Sequence, residues 1–329
     1  MRLITQKPDR NGFILIVVLG AVLILSVLLF GFHRTVQAKL TTVHSLYRVE
    51  QAGNCARAGL NIAVAAVRTA EDLCHDSRLS KFVTGETPIP VAEGTCSVTI
   101  VEENGLLNVN RLRRPTGELD RTRIDQLLRL IDLLNRQKPD APRIEYGIVP
   151  AIIDWTDHDD DLTHLPFVQH DNLGAEEDYY GALEPPRRCR NEPVDVIDEL
   201  LPVKGMTPDA LGRLRGSLTT FGDGKVNINA APKLVIESLN EQMNPAVIQM
   251  ILNRRGIKPF TSIAELRGMP GMTDNLYLAI KDTITTGQEQ QYYRVLSRGT
   301  VEDRSVCVEA VLRRNTQAGN VDIVQYREP

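Results

Sequence analysis

Gly12-Phe13-Ile14-Leu15-Ile16-Val17-Val18-Leu19-Gly20-Ala21-Val22-Leu23-Ile24-Leu25-Ser26-Val27-Leu28-Leu29-Phe30-Gly31-Phe32 decides the fold, because no charge interrupts it and Arg2, Lys7 and Arg10 all precede it. Phe13 to Phe32 is a run of 20 residues, which at about 1.5 Å rise crosses a bilayer core of roughly 30 Å. The basic leader predicts an N-terminus held in the cytoplasm and the bulk of the chain across the membrane. A removable signal peptide fits poorly, since its apolar part is usually about 7 to 15 residues and ends at a small-x-small site. Here the first such site, Val36-Gln37-Ala38, lies beyond His33 and Arg34. An uncleaved signal anchor is the simplest reading. The glycine between leader and run adds another, because Gly12-Phe13 is where a prepilin peptidase would cut on the cytoplasmic side.

The pattern stays helical past the membrane. Leu40, Val43, Leu46, Tyr47, Ala52, Ala56, Leu60, Val64 and Val67 recur at three and four residues, with no proline from Phe13 to Arg68. That predicts one rod of roughly 85 Å at helical rise. Its outer half is rich in small residues (Ala52, Gly53, Ala56, Ala58, Gly59, Ala63, Ala65, Ala66), which suit close packing on another helix or on the chain's own globular part.

Composition describes an anchored but otherwise soluble chain: 42% hydrophobic, 24% charged, net charge −4 over 329 residues. That charge gives no electrostatic reason to expect nucleic acid. Cys55, Cys74, Cys96, Cys189 and Cys307 match no zinc spacing and, being five, cannot all pair within one chain. Cys74 with Cys96 is the expected pair, flanking the loop between the rod and the first strand.

That strand is predicted over Thr95 to Val101 from its alternation, with Asn104-Gly105 as a hairpin turn leading to a second strand over Leu106 to Asn110. A later hairpin joins Tyr293 to Val301 with Val306 to Arg313 across Glu302-Asp303-Arg304-Ser305. Between them the chain reads as mostly helical and carries an internal repeat. Asp198-Glu199-Leu200-Leu201-Pro202-Val203-Lys204-Gly205-Met206-Thr207 aligns without gaps, at an offset of 66, with Ala264-Glu265-Leu266-Arg267-Gly268-Met269-Pro270-Gly271-Met272-Thr273. Each predicts a helix, a glycine turn and a second helix, ending at Gly222 or Gly287.

Asp154 to Glu184 concentrates the chemistry, with ten Asp or Glu, no Lys or Arg, and His158, His164 and His170. Unneutralised carboxylates so close together call for a cation, and hard oxygen donors select calcium. Asp154, Asp157, Asp159, Asp161, Glu176, Glu177 and Asp178 are the candidate ligands. Asp157, Asp159 and Asp161 alternate as in an EF-hand, but Leu162 stands where that loop needs glycine. A solvated acidic loop is the alternative. Histidines six apart do not converge on one helix or strand face, and no Gly-x-Ser-x-Gly, His-Glu-x-x-His or phosphate loop occurs, so no enzyme is assigned.

Taken in order, Gly12-Phe13 with its apolar run, Asn108-Val109-Asn110, Asp154-Trp155-Thr156-Asp157, Gly174-Ala175-Glu176-Glu177-Asp178-Tyr179-Tyr180, Arg190-Asn191-Glu192-Pro193, Glu199-Leu200 with Gly205-Met206-Thr207, and Asn227-Ile228-Asn229-Ala230-Ala231-Pro232 make the chain resemble the K-class minor pseudopilins of type II secretion systems over nearly its whole length. The resemblance implies an α+β fold: a pilin-like long N-terminal helix plus a small antiparallel sheet, with a large mainly helical insert of two sterile-alpha-motif-like or helix-hairpin-helix-like subdomains. The implied parts are a leader (1–12), a transmembrane helix (13–32), a pilin-like core (33–114), a first helical subdomain with the acidic loop (115–222), a second (223–287), and C-terminal strands completing the sheet (288–329).

The resemblance further implies a non-enzymatic subunit at the tip of a periplasmic pseudopilus, anchored in inner-membrane lipid and supporting export of folded proteins. Its implied partners are the I and J class minor pseudopilins and prepilin peptidase, with the exported cargo a further candidate and no nucleic acid. Bound calcium, processing at Gly12 and methylation of Phe13 also follow from it. Most pilin-like subunits carry glutamate at the fifth mature position to neutralise a neighbour's N-terminal amine. Val17 stands there instead, which suits a subunit with no neighbour ahead of it. The alternative is a membrane-anchored helix-hairpin-helix protein binding DNA, as competence receptors do. Against it, Asp223 to Gly287 holds seven basic and six acidic residues, without the basic face that counterion release needs.

Overall fold

The computed structural model describes residues 10–69, 84–85, 87–168, 170 and 172–328. Helix α1 spans Arg10–Thr69, 60 residues without a break, or about 90 Å at helical rise. The side chains from Phe13 to Phe32 are all exposed, and this is the described helix long and apolar enough to cross a membrane. From Ala52 onward one face is buried: Ala52, Cys55, Ala56, Leu60, Ala63 and Val67 repeat at three and four residues, as a helix lying on a sheet requires.

That sheet is the chain's own. Strands β1 (Ile89–Val91) and β2 (Gly94–Glu102) come before the insert. The insert's helices are α2 (Arg121–Gln137), α3 (Ile148–Thr156), α4 (Glu177–Gly181), α5 (Pro208–Leu214), α6 (Lys233–Ser238), α7 (Pro245–Ile257), α8 (Ala264–Arg267) and α9 (Asp274–Ile280). Its short strands are β3 (Leu107–Asn108), β4 (Leu218–Thr219), β5 (Val226–Asn227) and β6 (Ile284–Thr285). After it come β7 (Gln290–Val301), β8 (Arg304–Asn315) and β9 (Val321–Arg327). Five of these strands form one antiparallel sheet ordered β1-β2-β7-β8-β9. Alternation explains the pairing: Cys96, Val98 and Ile100 on β2, Tyr293 and Val295 on β7, and Val308, Ala310 and Leu312 on β8 all point inward, toward α1. Of the small residues of α1, Ala52, Ala56, Gly59 and Ala63 are therefore the ones that face this sheet, while Ala65 is exposed. Ser297 Oγ donates to Ala56 O at 2.8 Å, and Gly299, opposite Cys96, lets the helix backbone come close.

The expected hairpin between residues 95–101 and 106–110 does not form. Glu103–Gly105 is a buried 3-10 turn, and β3 pairs parallel with β4, not with β2. Asn104 is the joint between sheet and insert: its Oδ1 accepts from Tyr292 N at 2.6 Å and its Nδ2 donates to Gln290 O at 3.1 Å. Arg294 Nε lies 2.6 Å from the buried Glu103 Oε1. A turn signal is local, and here the same residues satisfy a long-range seam.

The internal repeat is larger than the sequence alignment shows. In both copies a glycine with positive φ (Gly205 at 79°, Gly271 at 82°) precedes a threonine N-cap, where Thr207 Oγ1 accepts from Ala210 N and Thr273 Oγ1 from Leu276 N, each at 3.1 Å. The following helices stop at Leu214 and Ile280, short of the expected Gly222 and Gly287, because β4 and β6 follow. β6 pairs parallel with β5, as β4 does with β3. Leu107-Asn108-Val109-Asn110 thus corresponds to Val226-Asn227-Ile228-Asn229. Asn110 bonds Val194 and Thr220 as Asn229 bonds Phe260 and Thr286, with side-chain donor distances between 2.8 and 3.2 Å. The expected boundary at residues 222 and 223 falls between the two copies, yet one apolar cluster runs from Leu106 to Ile284 through both.

Candidate metal site in the acidic segment

Helix α3 is buried along nearly its whole length, and its last turn contains no basic residue. Asp154, in that turn, is 0% exposed. Its Oδ1 accepts from Thr163 N at 3.0 Å, while Oδ2 is buried without a hydrogen bond. The following loop folds back over it through the His164–Leu173 bridge and a 2.9 Å bond from Gly174 N to Thr163 O. Gly174 is required there, because a Cβ would collide with the Asp154 carboxylate. Burial raises the Asp154 pKa against the opposing hydrogen bond from Thr163.

Asp157 and Glu176 are 9% and 5% exposed, and neither has a hydrogen bond on either carboxylate oxygen. Ligand atoms of Asp157, Asp159 and Glu176 all lie within 4.8 Å of one another. Burial pushes Glu176 up to about 8, reinforced by the charges of Asp154 and Asp157. Burial likewise raises Asp157 to about 7, with Arg113 opposing and Asp159 and Asp154 reinforcing the shift. Buried carboxylates without hydrogen bonds are costly, and a hard divalent cation would satisfy the oxygens that remain. The donor set fits calcium by its chemistry.

The structure therefore brings Asp157, Asp159 and Glu176 together, with Asp154 beneath them. It places Asp161 aside, its N–H bonded to Asp159 Oδ1 at 3.0 Å. Glu177 accepts from Cys189 N at 2.8 Å, and Asp178 is exposed in the first turn of α4. His158 turns to Asn191 O at 2.8 Å, and His164 and His170 are exposed. An aromatic floor holds the loop: Trp155 meets Tyr180 edge-on with ring centroids 4.9 Å apart, and Tyr180 Oη accepts from Lys204 N at 3.1 Å.

Sequence reasoning missed Arg113. Its Nε stands 2.8 Å from Asp157 Oδ2, an ion pair lying off the hydrogen-bond direction. No local signal points to a counter-ion outside the acidic segment. Cys189 also packs here, its Sγ 3.8 Å from Asp154 O. Of the expected Cys74–Cys96 pair, Cys74 lies outside the described residues, and Cys96 is buried beneath α1.

Cations near the glycine turns are engaged internally. Arg254 pairs with Glu265 and Arg267 with Asp274, each at 2.8 Å, and Arg255 donates to Ile228 O and Ala231 O at 2.8 and 2.7 Å. That leaves the DNA-binding alternative without support.

Comparison with known proteins agrees with this architecture. A chain in the crystal structure of the GspK-GspI-GspJ complex from the enterotoxigenic Escherichia coli type 2 secretion system superposes with a TM-score of 0.68 at 20% identity, covering 88% of this chain and 99% of that one. No curated protein matches by sequence. Residues 105–223 and residues 226–286 each match a family described as type II secretion system (T2SS), protein K. These matches together span more than half of the chain, which belongs to the type II secretion system protein K family of minor pseudopilins.

Proposed function

We propose that this subunit works at the tip of a periplasmic pseudopilus beside I and J class minor pseudopilins, supporting export of folded proteins by assembly and not by catalysis. The observation that carries the proposal is the division of labour along α1. Its first part is exposed and apolar, its last part is packed on the sheet, and between them Leu40, Val43, Leu46 and Tyr47 are exposed on a bare stalk. Such a stripe suits the helices of neighbouring subunits. The insert between β2 and β7 is far larger than the sheet carrying it, which suits an end position better than a packed shaft.

In this proposal the N-terminus is cytoplasmic, the inner membrane holds Phe13 to Phe32, and prepilin peptidase cuts after Gly12. Calcium at Asp157, Asp159 and Glu176 would neutralise the buried carboxylates and brace the loop; Asp161, Glu177 and Asp178 would then act from outside that cluster.

Mass spectrometry of the chain purified from its host tests the pilin route. A mature N-terminus at methylated Phe13, with I and J class pseudopilins copurifying, is expected. An intact Met1 would refute it. For the ion, melting of the detergent-solubilised full chain should rise by roughly 5 to 10 °C at calcium about 100 times its Kd, from about 2.7 kcal/mol of linkage. The same shift after Asp157 and Asp159 are changed to asparagine would reduce the segment to a solvated loop.

A further inference from the structure

The acidic site already contains a cation, delivered from the turn after β3. Arg113 forms a β-bridge with Leu119, and its guanidinium is held from behind: Nη1 donates to Gly117 O at 3.0 Å and Nη2 to Thr163 Oγ1 at 3.1 Å. Its side chain is only 25% exposed. Held this way, Nε lies 2.8 Å from Asp157 Oδ2 and Nη1 lies 4.0 Å from Asp159 Oδ2. Arg113 thus faces two of the three residues whose oxygens converge. Through Thr163, whose N–H bonds Asp154 Oδ1, it is tied to the loop that closes the site.

Charge makes the consequence specific. Of the four carboxylates Asp154, Asp157, Asp159 and Glu176, the one guanidinium pairs with Asp157 and approaches Asp159, so most of the negative charge is left and a divalent cation remains favoured. A guanidinium against Asp157 nevertheless repels that cation and occupies one of its ligands. We propose that Arg113 is a built-in counter-cation, which keeps the loop folded while the site is metal-free and competes with calcium for Asp157, setting the affinity of the site. This rests on the calcium reading above. It trades metal affinity for a subunit that stays folded before it meets the ion.

Arg113→Gln and Arg113→Lys in the full-length detergent-solubilised chain test it, with calcium binding read by calorimetry and melting read from Trp155, the single tryptophan. Arg113→Gln should bind calcium at least tenfold tighter than the unchanged protein. It should melt lower in chelator and equally at saturating calcium, while Arg113→Lys keeps an affinity near the original. If Arg113→Gln is insoluble without calcium, recovery on adding calcium supports the proposal and failure to recover overturns it. An unchanged or weaker affinity, or a melting loss that persists at saturating calcium, leaves Arg113 a purely structural anchor and overturns it. Absence of calcium binding by either protein overturns the metal reading itself, and this inference with it.

Discussion

Replacing Gly299 by alanine should loosen α1 from the sheet. A Cβ built at Gly299 would lie 2.0 Å from Ala52 O, 2.4 Å from Ala56 N and 2.9 Å from Cys55 Cβ. These are helix backbone atoms and a side-chain root, so no flexible tip can yield. Restoring van der Waals separation requires α1 to move away by roughly 1 to 1.5 Å. Overpacking of this kind costs about 1 to 3 kcal/mol, and a backbone obstacle puts it near the upper end. The same movement stretches the buried 2.8 Å bond from Ser297 Oγ to Ala56 O beyond hydrogen-bonding range, adding about 1 kcal/mol. A total of about 3 to 4 kcal/mol corresponds to roughly 6 to 16 °C in Tm. The apolar cluster under α1 is separate from that of the insert, so the loss should appear first in the sheet. Hydrogen exchange of β2 and β7, with melting of the full chain, reads both. Gly216→Ala is the control, since a Cβ there meets nothing within 4 Å. If Gly299→Ala melts and exchanges like Gly216→Ala, the helix is not held by close approach at this glycine.

Three further outcomes are expected. In chelator, stability should fall as pH rises from about 4.5 to 8, because Glu176 at about 8 and Asp157 at about 7 keep protons in the folded state that the unfolded chain has already released. The slope is at most about 1.4 kcal/mol per pH unit for each group, reduced by solvent at the exposed Asp159 side, and saturating calcium should flatten it; melts in chelator at four pH values across that range that show no slope would contradict the picture of buried carboxylates without hydrogen bonds. Gly12→Glu should leave the uncut precursor in the membrane, checked by the mass of the purified chain. Val17→Glu should impair assembly by placing an unpaired carboxylate in the bilayer at about 2.5 to 3.5 kcal/mol, checked by secretion and pseudopilus formation; full activity would argue against the tip position.

Much of this molecule is written locally. The apolar run, the three-and-four spacing of α1, the alternation of β7 and β8 and the Gly-Met-Thr helix starts depend on neighbours within a few residues, so the sequence by itself determined the long helix, the C-terminal hairpin and the repeated turns. The carboxylate-rich segment was legible for the same reason. Tertiary structure decided the rest. Asn104-Gly105 carries a turn signal, yet it became a buried joint because Tyr292 and Gln290, far along the chain, take up the polar groups of Asn104. Helices α5 and α9 stop early because β3 and β5 capture the residues after them in parallel pairs, a choice no local propensity records. Asp157, Asp159 and Glu176 converge, while Asp161 does not, because Gly174 passes over Asp154 and fixes the fold of the loop. Arg113 enters the site from outside the acidic segment. Local geometry selects helices and turns; which distant side chain neutralises a buried carboxylate is settled only when the core packs.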